Sequence, residues 1–251
     1  MIKDLLIAGP CAAESPSQID ITLTEAGKRP VSFVRVSLWK PRTKPGFDGI
    51  GAEDGLPLLQ EAARRGLNPA TEVLTPKQAQ AVLEAVLPVL GDGKLCIWIG
   101  SRNQNHFIQQ EISELASQDD RVTLLVKNQP WESEDHWRGL IDHVLHGGIP
   151  RERLLLCHRG FTPNGVHPYN YRNVPHYEMA MRVKAATGAR MVFDPSHTGG
   201  TVDNVKRVAR EAAAYDFDGM IVEVHPSPAE ALSDAKQQLT WEEFDQLLAS
   251  M

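Results

Sequence analysis

Cysteine is scarce in this chain, and features that would carry it out of a reducing aqueous compartment are missing. The three cysteines, Cys11, Cys96 and Cys157, are too few, and odd in number, for a disulfide framework. No basic-plus-apolar leader opens the sequence, and no apolar run reaches the roughly eighteen residues of a membrane span. Positive charge is not in excess either: 26 Lys and Arg stand against 32 Asp and Glu, a formal net charge of −6. A globally acidic surface argues against nucleic-acid and membrane-surface partners. Any anion site must therefore be a local cluster of cations. There is no linker, internal repeat or low-complexity segment, and the Gly-rich stretch at 45–51 has no P-loop spacing. The expectation is a cytoplasmic protein of a single domain, residues 1–251.

What is present is an alternation. At 251 residues and 42% hydrophobic, the chain can bury a substantial core. Short apolar runs at 5–8, 31–38, 67–73, 95–99, 122–126, 153–157, 190–193 and 220–224 read as strands. Between and after them lie helical patterns at about 15–28, 53–65, 75–89, 105–116, 133–145, 175–187, 202–215 and 241–249, the first and third opening on Ser15-Pro16 and Thr75-Pro76. Eight strands alternating with eight helices predict a (β/α)8 TIM barrel of α/β class. An open doubly wound sheet is the alternative, but it would normally use fewer strands.

The reactive residues fall at the ends of these strands. Cys11, Arg35, Lys40, Arg42, Arg102, Lys127, Arg159, His197 and Glu223 lie at or just beyond seven of the eight predicted strand ends, where a barrel builds its active site. Any one of them alone could be a solvated surface group; as a set they converge on one mouth. Arg35, Lys40, Arg42, Arg102, Lys127 and Arg159 form a basic group suited to a substrate with several anionic groups, such as a phosphate plus a carboxylate. Cys11, His197, Glu223 and Asp234 form a second group, a thiol, an imidazole and two carboxylates, which would suit a divalent transition metal with positions left open. Closely spaced Cys and His pairs of a structural zinc site are missing. Cys96 and Cys157, inside strands, read as small buried hydrophobes. His106, His136, His143, His146 and His167 read as surface or packing residues, and His225 as a weak neighbour of the metal group.

Gly9-Pro10-Cys11, Lys40-Pro41-Arg42-Thr43, Ile99-Gly100-Ser101-Arg102, Val126-Lys127-Asn128, His158-Arg159-Gly160, Asp194-Pro195-Ser196-His197 and Glu223-Val224-His225-Pro226 through Asp234 occur in the order found in type I 3-deoxy-D-arabino-heptulosonate 7-phosphate (DAHP) synthases. The resemblance covers nearly the whole chain. Tyr171-Arg172-Asn173 and residues 194–200 look closest to the Iβ branch, in which the barrel is usually fused to a chorismate mutase. The resemblance implies condensation of phosphoenolpyruvate with erythrose 4-phosphate, releasing phosphate and opening the shikimate pathway of aromatic amino acid and chorismate biosynthesis. It further implies a metal, often Mn²⁺ in such enzymes, held by Cys11, His197, Glu223 and Asp234. Arg102, Lys127 and Arg159 would bind the phosphate of phosphoenolpyruvate, with Arg35 and Lys40 near its carboxylate. Arg42 and Thr43 would take the aldose phosphate. Lys40, Cys11 and His197 would be the catalytic residues, Lys40 as proton donor to the new hydroxyl.

Ser101-Arg102-Asn103 departs from the Ala-Arg-Thr usual in that family. The expectation is a catalytic barrel with no regulatory or mutase domain, a homo-oligomer (dimer or tetramer), for which a separate chorismate mutase is a candidate partner. The nearest rival resemblance is to the synthase of 3-deoxy-D-manno-octulosonate 8-phosphate, which uses arabinose 5-phosphate and carries an Ala-Asn-based motif where Lys40-Pro41-Arg42-Thr43 stands. A non-catalytic scaffold is a third reading, against which the four intact metal-type residues argue.

Overall fold

In the computed structural model, which describes residues 4–41 and 46–251, the strands are β1 Leu5–Gly9, β2 Phe33–Arg35, β3 Pro69–Glu72, β4 Leu95–Ile99, β5 Val122–Lys127, β6 Leu154–His158, β7 Arg190–Phe193 and β8 Gly219–Glu223. Each pairs in parallel with the next, and β8 pairs with β1, so the sheet closes as an eight-stranded barrel. The (β/α)8 expectation holds. Nine helices among the described residues cover it: α1 Pro16–Ala26, α2 Gly51–Arg64, α3 Pro76–Val86, α4 His106–Ser117, α5 Glu134–His146, α6 Tyr177–Thr187, α7 Pro195–Gly199, α8 Val202–Ala212 and α9 Trp241–Ala249. Ser15 and Thr75 cap α1 and α3, accepting the amides of Gln18 and Gln78. Thr240 and Glu243 close a capping box on α9. None of these helices is long and apolar enough to cross a membrane.

The two-residue period of a strand decides which side chains reach the barrel axis. Leu5, Ile7, Phe33, Ala70, Cys96, Trp98, Leu125, Leu155, Cys157, Val192 and Ile221 fill the interior. Their sequence neighbours, such as Leu6, Val34, Ile97, Leu124 and Met191, pack outward under the helices in a second, larger cluster. Cys96 and Cys157 are thus the buried hydrophobes their positions suggested. The same period carries each inner row onto the C-terminal face, where the next inward positions are Gly9 and then Cys11, Arg35, Glu72, Gly100, Lys127, Arg159, Asp194 and Glu223.

Two expectations change. β2 has three residues rather than the eight of the apolar run, because the chain leaves the sheet once Val36 has bonded Ala70. Beyond that point the Leu38 amide donates to Thr71 Oγ1, and Leu38 and Lys40 bond the returning 48–51 segment. Residues 195–199, where the sequence pattern placed no helix, form one short helix capped by Asp194, whose carboxylate accepts the His197 amide.

Candidate active site

The C-terminal mouth of the barrel is one cavity lined by Cys11, Arg35, Lys40, Glu72, Trp98, Arg102, Lys127, Arg159, His197 and Glu223, among others. Eight of the residues singled out in the sequence therefore meet. Asp234 stands beside the cavity, tied to Lys40. Arg42 and Thr43 lie outside the described residues.

Cys11, Glu223 and Asp234 each present a ligand-type atom, and these three atoms lie within 4.8 Å of one another. Every one is held. Glu223 is fully buried, and Arg35 Nη2 donates to its Oε1 at 3.1 Å while Gln237 Nε2 donates to its Oε2 at 2.6 Å. Arg172 Nη1 donates to Asp234 Oδ1 at 3.1 Å. The Lys40 ammonium sits among the donors, 2.7 Å from Cys11 Sγ and 2.8 Å from Asp234 Oδ2. A thiol with two carboxylates is a donor set for a divalent transition metal, and it already gathers round a positive charge, so the residues fit such an ion.

His197 is not one of this close group of three. Its Nδ1 contacts Asp194 Oδ2 at 2.8 Å, and its Nε2 lies 3.6 Å from Glu223 Oε1. A carboxylate on one ring nitrogen with the other turned to the donors is the arrangement usual for a metal-bound histidine. His225 turns away: its Nε2 is 3.6 Å from Glu14 and its Nδ1 accepts the Ser227 amide.

The charges follow from this packing. Burial raises the Glu223 carboxyl, but His197, Arg35 and Lys40 outweigh it and bring it down to about 2. Burial likewise raises Asp234, while Lys40 and Arg172 hold it well below the carboxylate range. Burial and the Glu223 charge push the Cys11 thiol up, consistent with its donating to Asp234 Oδ2 at 3.4 Å. Burial works against the Lys40 ammonium, yet Cys11, Glu223 and Asp234 raise it overall.

The other half of the mouth is cationic. Lys127 donates to Asp194 Oδ2 at 2.7 Å, and both are buried. Arg102 is exposed at the rim, reaching the Pro41 carbonyl at 3.4 Å. Arg35 is 2% exposed, yet its Nε and Nη1 have no protein acceptor. Arg159 is 7% exposed, and among the described residues no side chain or carbonyl accepts from its guanidinium. Burial first, then the neighbouring charges of Arg172 and Arg102, against the pull of Asp194, bring it down to about 10. Buried guanidinium donors without acceptors cost free energy, which an anionic ligand bringing its own oxygens would recover.

Sequence reading missed Glu72, Asp194, Arg172 and Gln237 as working parts. Glu72 ends β3, the one strand without a candidate, and lines the cavity. Burial raises its carboxyl despite Lys127, Lys40 and Arg35 nearby. Gly100 is small for this reason: a Cβ there would run into the Glu72 carboxylate.

Beneath the mouth, His158 packs among Trp137, Phe161, Tyr177 and Phe193. Its Nε2 accepts the His176 amide at 3.0 Å, while burial, with His176 and Arg159 nearby, brings its pKa down from 6.5 to about 3. The unfolded chain therefore binds this proton more readily, and stability falls as pH drops below about 6.5. At pH 5 the loss from this group should be about 2 kcal/mol. Urea unfolding midpoints at pH 7 and pH 5 check this; the fall should shrink in His158→Gln, and an equal fall in that variant would contradict it.

Fold and mouth together define the class, a (β/α)8-barrel enzyme whose active-site face pairs a cation-type donor cluster with a basin for anions. A model of the DAHP synthetase I family matches residues 3–251. The phospho-2-dehydro-3-deoxyheptonate aldolase of Thermotoga maritima is 32% identical over 248 residues, 98% of this chain and 68% of that protein. The crystal structure of that organism's phospho-2-dehydro-3-deoxyheptonate aldolase (DAHP synthase) matches with a TM-score of 0.86 at 30% identity, covering 100% of this chain and 68% of that one. The 2-dehydro-3-deoxyphosphooctonate aldolase of Paraburkholderia phymatum is 26% identical over 271 residues, 98% of this chain and 88% of that protein. The chain belongs to the DAHP synthetase I family.

Proposed function

We propose that the chain catalyses the metal-dependent condensation of phosphoenolpyruvate, D-erythrose 4-phosphate and water to 3-deoxy-D-arabino-heptulosonate 7-phosphate and phosphate, the first step of the shikimate pathway. The observation that carries this reading is one cavity in which buried Arg159 and Arg35, the latter with Nε and Nη1 unpartnered, face the Cys11 and Glu223 donors, with Asp234 beside them. Arg159, Lys127 and Arg102 would bind the phosphate of phosphoenolpyruvate, and Arg35 with Lys40 its carboxylate. Arg42 and Thr43 take the aldose phosphate by motif alone. Held by Cys11, His197, Glu223 and Asp234, a divalent ion, Mn²⁺ first among candidates, would polarise the aldehyde carbonyl as a Lewis acid. As the enol carbon attacks that carbonyl, the Lys40 ammonium gives its proton to the developing alkoxide, which becomes the new hydroxyl. Water then adds at the cationic carbon, losing a proton that restores the Lys40 ammonium, and the C–O bond to phosphate breaks as that carbon becomes the ketone.

The Iβ branch is the finer assignment we favour. Its Tyr171-Arg172-Asn173 motif touches the proposed ligands directly: Arg172 donates to Asp234, and Asn173 Nδ2 to the His197 carbonyl at 2.6 Å. The same resemblance supports a homo-oligomeric, cytoplasmic enzyme.

Relatives named as 2-dehydro-3-deoxyphosphooctonate aldolases make the five-carbon aldose the competing substrate. Erythrose 4-phosphate should exceed arabinose 5-phosphate in kcat/KM by roughly 10²-fold or more. Steady-state phosphate release with each aldose measures this, and a preference for arabinose 5-phosphate would replace the reading.

A further inference from the structure

We propose that Gln237 and Gln238 are positioning residues that together set the geometry of the cation-binding donors, an inference that rests on the metal-dependent reading above. Gln237 is 2% exposed and Gln238 is fully buried, unusual for amides in a loop and acceptable only when their polar atoms are satisfied. They are, and the partners are the site itself. Gln237 Nε2 donates to Glu223 Oε2 at 2.6 Å, while its Oε1 accepts from Arg172 Nη1 at 2.6 Å. That arginine nitrogen also donates to Asp234 Oδ1. Because a carboxylate can only accept and a guanidinium can only donate, the orientation of the Gln237 amide is fixed by its partners.

Gln238 serves Cys11. Its Oε1 accepts the Cys11 amide at 2.9 Å, and its Nε2 donates to the Ser233 carbonyl at 2.8 Å. The loop after β1 is thereby tied to the residue preceding Asp234. Asp234 has φ +48°, in the left-handed region that few non-glycine residues adopt, aspartate among them. The Gln238 side chain bonds the carbonyl of the residue before it, and the Gln237 backbone N–H donates to the Asp234 carbonyl at 3.1 Å. The segment itself is anchored on the barrel: Leu239 donates to the Glu223 carbonyl at 2.9 Å and accepts from His225 at 2.9 Å. Two adjacent amides thus reach three of the four proposed ligands, with Gln237 on Glu223 and, through Arg172, on Asp234, and Gln238 on Cys11.

Gln237→Met and Gln238→Met keep the side-chain length and remove both polar ends. The test is a titration of each metal-stripped full chain with Mn²⁺ alone, followed by the electron paramagnetic resonance signal of the free ion, beside thermal unfolding of the same metal-stripped chains. Each variant should bind Mn²⁺ roughly 10- to 100-fold more weakly than the parent, with the stripped chains still folding cooperatively and melting no more than about 10 °C below the parental one. Gln237→Glu, which keeps the acceptor for Arg172 but loses the donor to Glu223, should be as weak as Gln237→Met. Parental affinity in both Met variants overturns the proposal. So does a stripped-state melting temperature that collapses in both, since the amides would then be serving the fold. A parent chain that binds no Mn²⁺ would instead overturn the metal-dependent reading, and the proposal with it.

Discussion

Replacement of Glu223 by glutamine is expected to lower phosphate release from phosphoenolpyruvate and erythrose 4-phosphate by roughly 10³-fold, about 4 kcal/mol. The side chain is fully buried, and both of its oxygens are already committed, one to Arg35 and one to Gln237. An amide of the same size removes the negative charge that offsets Arg35 and Lys40. It also sets a donor against the Gln237 donor or removes the carboxylate partner of Arg35, whichever way it turns. Loss of an outer partner of a metal ligand typically costs 10- to 100-fold, and loss of a charged ligand should cost more. Leaving a buried guanidinium uncompensated destabilises by about 3–5 kcal/mol, so the melting temperature should fall as well. Steady-state kinetics in excess Mn²⁺ and a thermal melt check both; activity within a few-fold of the parent would contradict the assignment of Glu223.

Arg159→Ala should separate binding from stability in the opposite sense. Its guanidinium is buried beside Arg172 and Arg102 with no protein acceptor among the described residues, and its depression from 12.5 to about 10 corresponds to about 3 kcal/mol held against the charged form. Removing it should therefore leave the ligand-free chain as stable as before or more so. On the proposed reading it should also raise KM for phosphoenolpyruvate by roughly 10²-fold, since charged hydrogen bonds contribute about 1.5–3 kcal/mol each, with a smaller effect on KM for the aldose. A lower melting temperature with unchanged KM would show that the residue serves the fold.

Much of this site is written in the strand period. Counting inward from Leu125, Cys157 and Ile221 by twos lands on Lys127, Arg159 and Glu223, which sequence alone placed at the mouth. The same count from Ala70 and Val192 lands on Glu72 and Asp194, but an acidic residue on a weak apolar run and an Asp-Pro turn carry no chemical signature by themselves. β4, β7 and α9 begin and end where the apolar pattern does, whereas β2 is shorter than its run because the chain peels away to bond residues 48–51. What remained illegible is long-range. Arg172, Gln237 and Gln238 gain their meaning only when residues about sixty positions apart, or separated by nearly the whole chain, are brought into hydrogen-bond contact.

The most direct test of the account is phosphate release by the full chain supplied with phosphoenolpyruvate and erythrose 4-phosphate, measured with Mn²⁺, with a chelator, and with Mn²⁺ restored after chelation. The donor cluster of Cys11, Glu223 and Asp234 beside the cationic basin predicts turnover with the metal, its loss on chelation and its recovery on restoration. Undiminished release in chelator, or none with erythrose 4-phosphate in the Mn²⁺-loaded protein, would contradict it.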